Sequence, residues 1–259
     1  MLRINTARKG FIGKNLSLSK KAHSKEAIER QLIHGEKHIS SFNLPEIILG
    51  GQDGLVNVLG IILGIAAATS DARIVIVAGL AATFAESLSM AAVAYTSKLA
   101  EADFYQSEYE REEWEIENVP SGEKEEIRAL YKKNGFEGEM LDKIVEQITS
   151  DKKLWLKVMM EQELKLTPVD RSKVLPLSLL VGFSAVVGSI IPLTPFFLLP
   201  IKPAIWISLF ISAVSLFIVG YIKAQKTLGR KFIRSGLEMM TIGMVSAFVG
   251  YLVGSLLKV

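Results

Sequence analysis

The chain contains no cysteine. A disulfide framework, a thiolate zinc site and an iron–sulfur cluster are therefore excluded. Histidine is nearly as scarce. The three present, His23, His34 and His38, all precede the first long apolar run. The Glu-x-x-His pairs of a ferritin-like di-iron centre cannot be built from the rest of the chain, which argues against a ferroxidase. No enzymatic activity is expected. No prosthetic group is expected. Residues 1–42 are basic and polar, and lack an apolar stretch of signal-peptide length. The net charge is only +3 over 259 residues, so no single-sign field points to nucleic acid.

Long apolar runs, by contrast, are abundant. Five stretches reach the roughly 20 residues that a helix needs to cross a bilayer. They are Ile47–Thr69, Ala72–Ser97, Val174–Leu199, Ala204–Ile222 and Gly236–Leu256. Backbone polar groups must be paired inside lipid, so each is expected to be helical. Lys and Arg crowd the segment before the first span, and again Lys223, Lys226, Arg230, Lys231 and Arg234 crowd the loop between the fourth and fifth. The intervening turns carry only Arg73 and Lys202. The positive-inside rule then puts the N-terminus in the cytoplasm and the C-terminus outside. The expected fold is all-α: an integral membrane five-helix bundle with a cytoplasmic helical domain inserted between spans two and three. Its parts are a basic N-terminal segment (1–45), spans one and two (46–97), the inserted domain (98–173) and spans three to five (174–259). The membrane is the cell membrane if the source is prokaryotic, or a vacuole-like membrane if it is eukaryotic.

The inserted segment Lys98–Lys173 holds 19 acidic against 13 basic residues. Such a surface suits cations better than anionic lipid or nucleic acid, although a solvated, charge-laced helical face has the same composition. Lys98–Asn118 should prolong the second span. Pro120-Ser121-Gly122 should break it, with Ser121 opening a helix that Gly135 ends. Met140–Ile148 and Asp151–Lys165 should form two more helices, the last stopping before Pro168. Glu112 and Glu115 share a face, as do Glu123 and Glu126 on the next helix, and Met159 or Met160 with Glu163 on the last. Three helices could thus each bring a pair of ligands to one centre. Carboxylates with a thioether suit Fe(II), and also Mn(II), Co(II) or Zn(II), over calcium or magnesium. Glu at this spacing is also common on solvated helices, and Met at helical spacing is common in cores.

Inside the spans lie Asp53 and Asn57, four apart on one face, and Glu86 with Met90 four residues later. Intramembrane carboxylates are costly, and they face a bundle interior or a water-filled cavity. With an amide and a thioether they form a plausible pathway for a transition-metal ion, and a carboxylate can also exchange metal against a proton. An unpaired Glu86 has little structural role, whereas Asp53 could cap a helix, Met90 could simply pack, and Glu238 should pair with Arg234. Gly50 and Gly54, Gly60 and Gly64, and Gly250 and Gly254 recur at the spacing that allows close helix approach, within the chain or between copies. Five spans enclose a pathway poorly, which favours a homodimer with the pathway near its interface. Pro192 and Pro195 imply a kink or break in the third span.

These residues carry a specific resemblance from about His34 to the end. Asp53-Gly54-Leu55, Ser89-Met90-Ala91-Ala92 with Tyr95 and Ser97, Glu101-Ala102-Asp103 with Tyr105, Pro192-Leu193 with Pro195, and Arg234-Ser235 with Glu238, Ile242 and Gly243 resemble motifs of the vacuolar iron transporters. His34-Gly35-Glu36-Lys37-His38 is similar to a lead-in of that family. The resemblance implies a dimer of five-helix protomers with a cytoplasmic metal-binding domain, and export of cytosolic Fe(II), often also Mn(II), by proton antiport. It implies pathway positions at Asp53 and Met90, and ligands at Glu112, Glu115, Glu123, Glu126, Met159 or Met160, and Glu163. There are departures. Val93-Ala94 stands where many members have Gly-Glu, and Ala82 where some carry an acid, with Glu86 one turn further along. The implied partners are divalent metal ions, protons, lipid and a second copy.

Overall fold

A computed structural model describes residues 6, 10–11, 13–28, 43–69, 71–227 and 231–257. The lead-in His34–His38 lies outside them. The helices are α1 (Leu16–Ala22), α2 (Leu44–Ala68), α3 (Ala72–Asn118), α4 (Pro120–Lys133), α5 (Gly138–Thr149), α6 (Lys152–Val158), α7 (Arg171–Leu198), α8 (Ile201–Thr227) and α9 (Phe232–Leu256). A π-helical turn, Met159–Glu163, continues α6. Among the described residues there is no strand. Five helices, α2, α3, α7, α8 and α9, are long and apolar enough to cross a membrane.

The chain divides into two units. The first comprises Met1–Ala92 and Leu177–Val259, the second Val93–Pro176, and the single 47-residue helix α3 contributes to both. In the first unit α2 is central. Val58, Leu59 and Ile62 are wholly buried, and small residues bring its neighbours close. A Cβ on Gly54 would strike Ala185 and Ser189 of α7, and one on Gly254 would strike the Gly64 backbone. Gly50 faces α7 in the same way, and Gly250 faces Gly60. The glycine pairs therefore serve contacts within one chain: α2 against α7 at one end and against α9 at the other. Close backbone approach of this kind replaces the hydrophobic driving force that lipid abolishes.

Of the kink or break expected at Pro192 and Pro195 there is no break: helix α7 runs through both prolines. Each proline removes one N–H from the ladder. Hydroxyls add hydrogen bonds around the gap: Ser208 of α8 donates to the Pro192 carbonyl at 2.7 Å, and Thr194 donates to that of Ile190 at 2.7 Å. Neighbouring helices and hydroxyls commonly keep proline tolerable inside membrane helices.

The second unit packs the C-terminal part of α3, α4, α5 and α6 around Ile116, Ile127, Leu141, Val145 and Trp155. Leu141, Val145 and Ile148 form the apolar stripe of α5. Helix α4 begins at Pro120 rather than Ser121, with Val119 at the cap position. Proline fits the first helical position because that N–H lacks a helical partner anyway. Asp151 caps α6 by accepting from the N–H of Lys153 (2.8 Å) and Leu154 (3.1 Å). The expected single helix Asp151–Lys165 is instead α-helical only to Val158. The Leu164 N–H then reaches back five residues to the Met159 carbonyl, at 3.0 Å.

Candidate metal centres

Within the first unit, α2 supplies Asp53 and Asn57, one turn apart, and α3 supplies Glu86 and Met90, also one turn apart. The Asn57 Nδ2 donates to Glu86 Oε1 at 2.8 Å. Glu86 is therefore paired, contrary to the sequence expectation, although its Oε2 is buried with no hydrogen-bond partner. The Asp53 carboxyl lies near enough to act on Glu86 electrostatically. Two neighbouring carboxyls can share a proton or take a divalent cation between them. Met90 is half-buried, whereas Asn57 is exposed. Thr83 and Ser87 flank Glu86 on α3 and donate to the carbonyls one turn back, at 2.8 and 2.6 Å. Glu238, at the start of α9, pairs with Arg234 as expected, with Nε to Oε1 at 2.9 Å.

The second unit holds a denser group. Carboxylate oxygens of Glu112 and Glu115 on α3 and Glu123 on α4 all lie within 4.8 Å of one another. Glu126 and Glu163 are near enough to raise the proton affinity of this group. Glu112 and Glu123 are only 2% and 5% exposed, and the Oε2 atoms of Glu112, Glu123 and Glu163 are buried without partners. Burial pushes the Glu123 carboxyl up to about 7, reinforced by Glu112, Glu126 and Glu115. Burial likewise pushes Glu163 up to about 7, with Glu126 the next largest cause. Glu112 is also raised by burial, and Arg111 opposes that rise. Five carboxylates this close need protons or cations to coexist.

Met159 and Met160 are fully buried within the apolar core of this unit. The π turn changes their register with Glu163, so the helical spacing from which the pairs were read does not describe this stretch. Sequence reasoning missed Arg111. Its guanidinium is ion-paired to Glu108 and Glu112, at 2.8 and 2.7 Å, and to Glu115. The signal was present in Glu108, Arg111 and Glu115 at helical spacings of three and four.

The VIT family model matches residues 44–255, a stretch that includes both groups of polar residues. The chain belongs to the VIT family. It is 36% identical to the vacuolar iron transporter of Plasmodium falciparum (isolate 3D7), over 97% of this chain and 95% of that protein. It is 32% identical to the vacuolar iron transporter of Plasmodium berghei (strain Anka), over 99% and 97%. Vacuolar iron transporter 1 of Arabidopsis thaliana is 32% identical, over 84% and 88%. Family membership and five membrane-spanning helices make the chain an integral membrane protein.

Proposed function

We propose that this protein transports divalent transition metal, Fe(II) and also Mn(II), out of the cytoplasm in exchange for protons. The observation that carries the reading is the Asp53–Asn57–Glu86 group on two membrane helices. A carboxylate with a buried, unpartnered oxygen in such a helix has no structural need, and it suits an ion pathway. The relatives' names support iron as the cargo.

In this reading the unit Val93–Pro176 is cytoplasmic, in keeping with the positive-inside pattern, and its carboxylates gather metal. Glu112, Glu115, Glu123, Glu126 and Glu163 supply oxygen ligands, and Met159 or Met160 supplies the thioether that favours a softer ion. Asp53, Asn57, Glu86 and Met90 carry the ion onward, and the paired carboxyls return protons. Asn57 is exposed in mid-span; one amide N–H goes to Glu86, and lipid offers its remaining polar atoms no partner. A second copy covering that face makes a homodimer with the pathway at its interface.

The test is purified protein in liposomes with a pH-sensitive dye inside, challenged with Fe(II), Mn(II), Zn(II) and Ca(II) in turn. Metal-dependent proton movement with Fe(II) and Mn(II) supports antiport. No movement with any metal would remove it. A second reading has its own support, because the Glu112–Glu115–Glu123 group is complete within one unit. A membrane-anchored metal sensor or buffer needs no more than that. It predicts metal binding without uptake, and indifference to substitution of Asp53.

A further inference from the structure

Arg111 is the one basic side chain that the carboxylate group of the second unit holds directly, among the described residues. Its Nη2 lies 2.7 Å from Glu112 Oε1 and 2.8 Å from Glu108 Oε2, its Nε donates to that same Glu108 oxygen at 3.2 Å, and its Nη1 donates to Glu115. Two of these partners, Glu112 and Glu115, offer oxygens to the three-carboxylate cluster with Glu123. Glu108 is outside that cluster. The Arg111 side chain is 43% exposed, so it is free to turn outward, whereas Glu112 is 2% exposed and cannot follow it.

From this geometry we infer that Arg111 competes with divalent cations for Glu112 and Glu115, and that Glu108 is the acceptor that holds it when a metal takes them. The inference rests on the metal-binding reading given above. A guanidinium and a metal ion cannot share the same carboxylate lone pairs at full strength, because both draw on the same negative charge. Charge-assisted contacts are among the stronger polar interactions in proteins, and Arg111 makes one to Glu112 and one to Glu115, so the metal must displace both at a measurable loss of affinity. Glu108 lowers that loss by keeping two of the guanidinium contacts intact. The sequence provides both roles on one helix: Glu108 lies one turn before Arg111, Glu112 is adjacent, and Glu115 lies one turn after. Arg111 thereby sets the threshold at which the site fills.

The two residues should act in opposite directions. Detergent-solubilised full-length protein is titrated with Mn(II), and free aquo-Mn(II) is read by electron paramagnetic resonance. Arg111→Gln should bind Mn(II) at least about tenfold more tightly, since the charge-assisted contacts to Glu112 and Glu115 are both lost. Glu108→Gln should bind it more weakly, since Arg111 then has only the ligands to pair with. The double variant should match Arg111→Gln, because Glu108 acts only through Arg111. Weaker or unchanged binding in Arg111→Gln would overturn the inference and make Arg111 a support for the ligands. Should that variant fail to fold, tighter or unchanged binding in Glu108→Gln would overturn it independently. No Mn(II) binding by the wild-type chain would overturn both this inference and the ligand assignment. Binding without uptake into liposomes would overturn the transport reading alone.

Discussion

Replacing Glu123 by Gln tests whether the carboxylate group is crowded beyond what its own fold would choose. Glu123 is 5% exposed, and its carboxyl is pushed from 4.5 to about 7, first by burial and then by Glu112, Glu126 and Glu115. At about 1.4 kcal/mol per pH unit, that shift favours the neutral form by about 3 kcal/mol. The folded chain holds this proton between about pH 4.5 and 7 while the unfolded chain releases it. Stability therefore falls as pH rises through that window, and the whole penalty is present above pH 7. Gln keeps the size and never carries the charge. In chelator at pH 8 the variant should be more stable than the parent by up to about 3 kcal/mol, a rise of at least several degrees in melting temperature for a unit of this size. At pH 4 the difference should vanish. With Mn(II) the order should invert, because ligand binding stabilises the parent by mass action and the variant has lost a ligand. Thermal unfolding of the full chain, followed by tryptophan emission, reads this unit through the buried Trp155. A variant less stable than its parent in chelator at pH 8 would refute the reasoning, since Glu123 would then be a satisfied anion.

Asp53→Ala should abolish Mn(II) uptake into liposomes while leaving Mn(II) binding by the Val93–Pro176 unit intact; unchanged uptake would remove Asp53 from the pathway. Asn57→Leu removes the donor to Glu86 Oε1 and should slow uptake severely without altering that binding. Because Glu123 and Glu163 sit at about 7, Mn(II) affinity should rise steeply from pH 6 to 8, and calorimetry in buffers of different ionisation enthalpy should record proton release. Gly254→Leu drives a side chain into the Gly64 backbone, and should destabilise the bundle by at least about 2 kcal/mol, seen as lost monodisperse protein on size-exclusion chromatography.

The five spans were legible because lipid imposes a simple rule: about 20 apolar residues, all helical. The residues Asp53, Asn57 and Glu86 stood out for the same reason, as polar groups in an apolar run, and Met90 as a thioether one turn from Glu86. What hydropathy could not tell was that Asn57 and Glu86, twenty-nine residues apart, meet across two helices. The fate of the glycine pairs was open as well, since close approach within a chain and between chains uses the same motif. In the second unit, helical spacing placed carboxylates on shared faces but failed where the backbone left the α register. The π turn at Met159–Glu163 has no marker in its composition. The continuity of α7 was not legible for a related reason: proline's cost was visible in the sequence, whereas the hydroxyl of Ser208 near it came from another helix. Arg111 was overlooked because a lone arginine among glutamates reads as an ordinary solvated ion pair. Its significance appears only once Glu112 is known to be buried.

The two groups use different donors against the same difficulty, a carboxylate away from water. Glu86 receives a hydrogen bond from a neutral amide, which satisfies one oxygen and adds no positive charge. Glu112 receives a guanidinium, which satisfies one oxygen and offsets negative charge that it shares with Glu108 and Glu115. In each case the other oxygen is buried without a partner. An amide cannot compete with a cation for charge, so the Asp53–Glu86 pair keeps its full attraction for whatever cation reaches it, metal or proton. A guanidinium does compete, so a carboxylate group that contains one can hold many acids together and still release a metal ion. In the transport reading proposed above, a loading site that must discharge its cargo benefits from such a built-in competitor, whereas a membrane station that must draw a hydrated ion out of water does not.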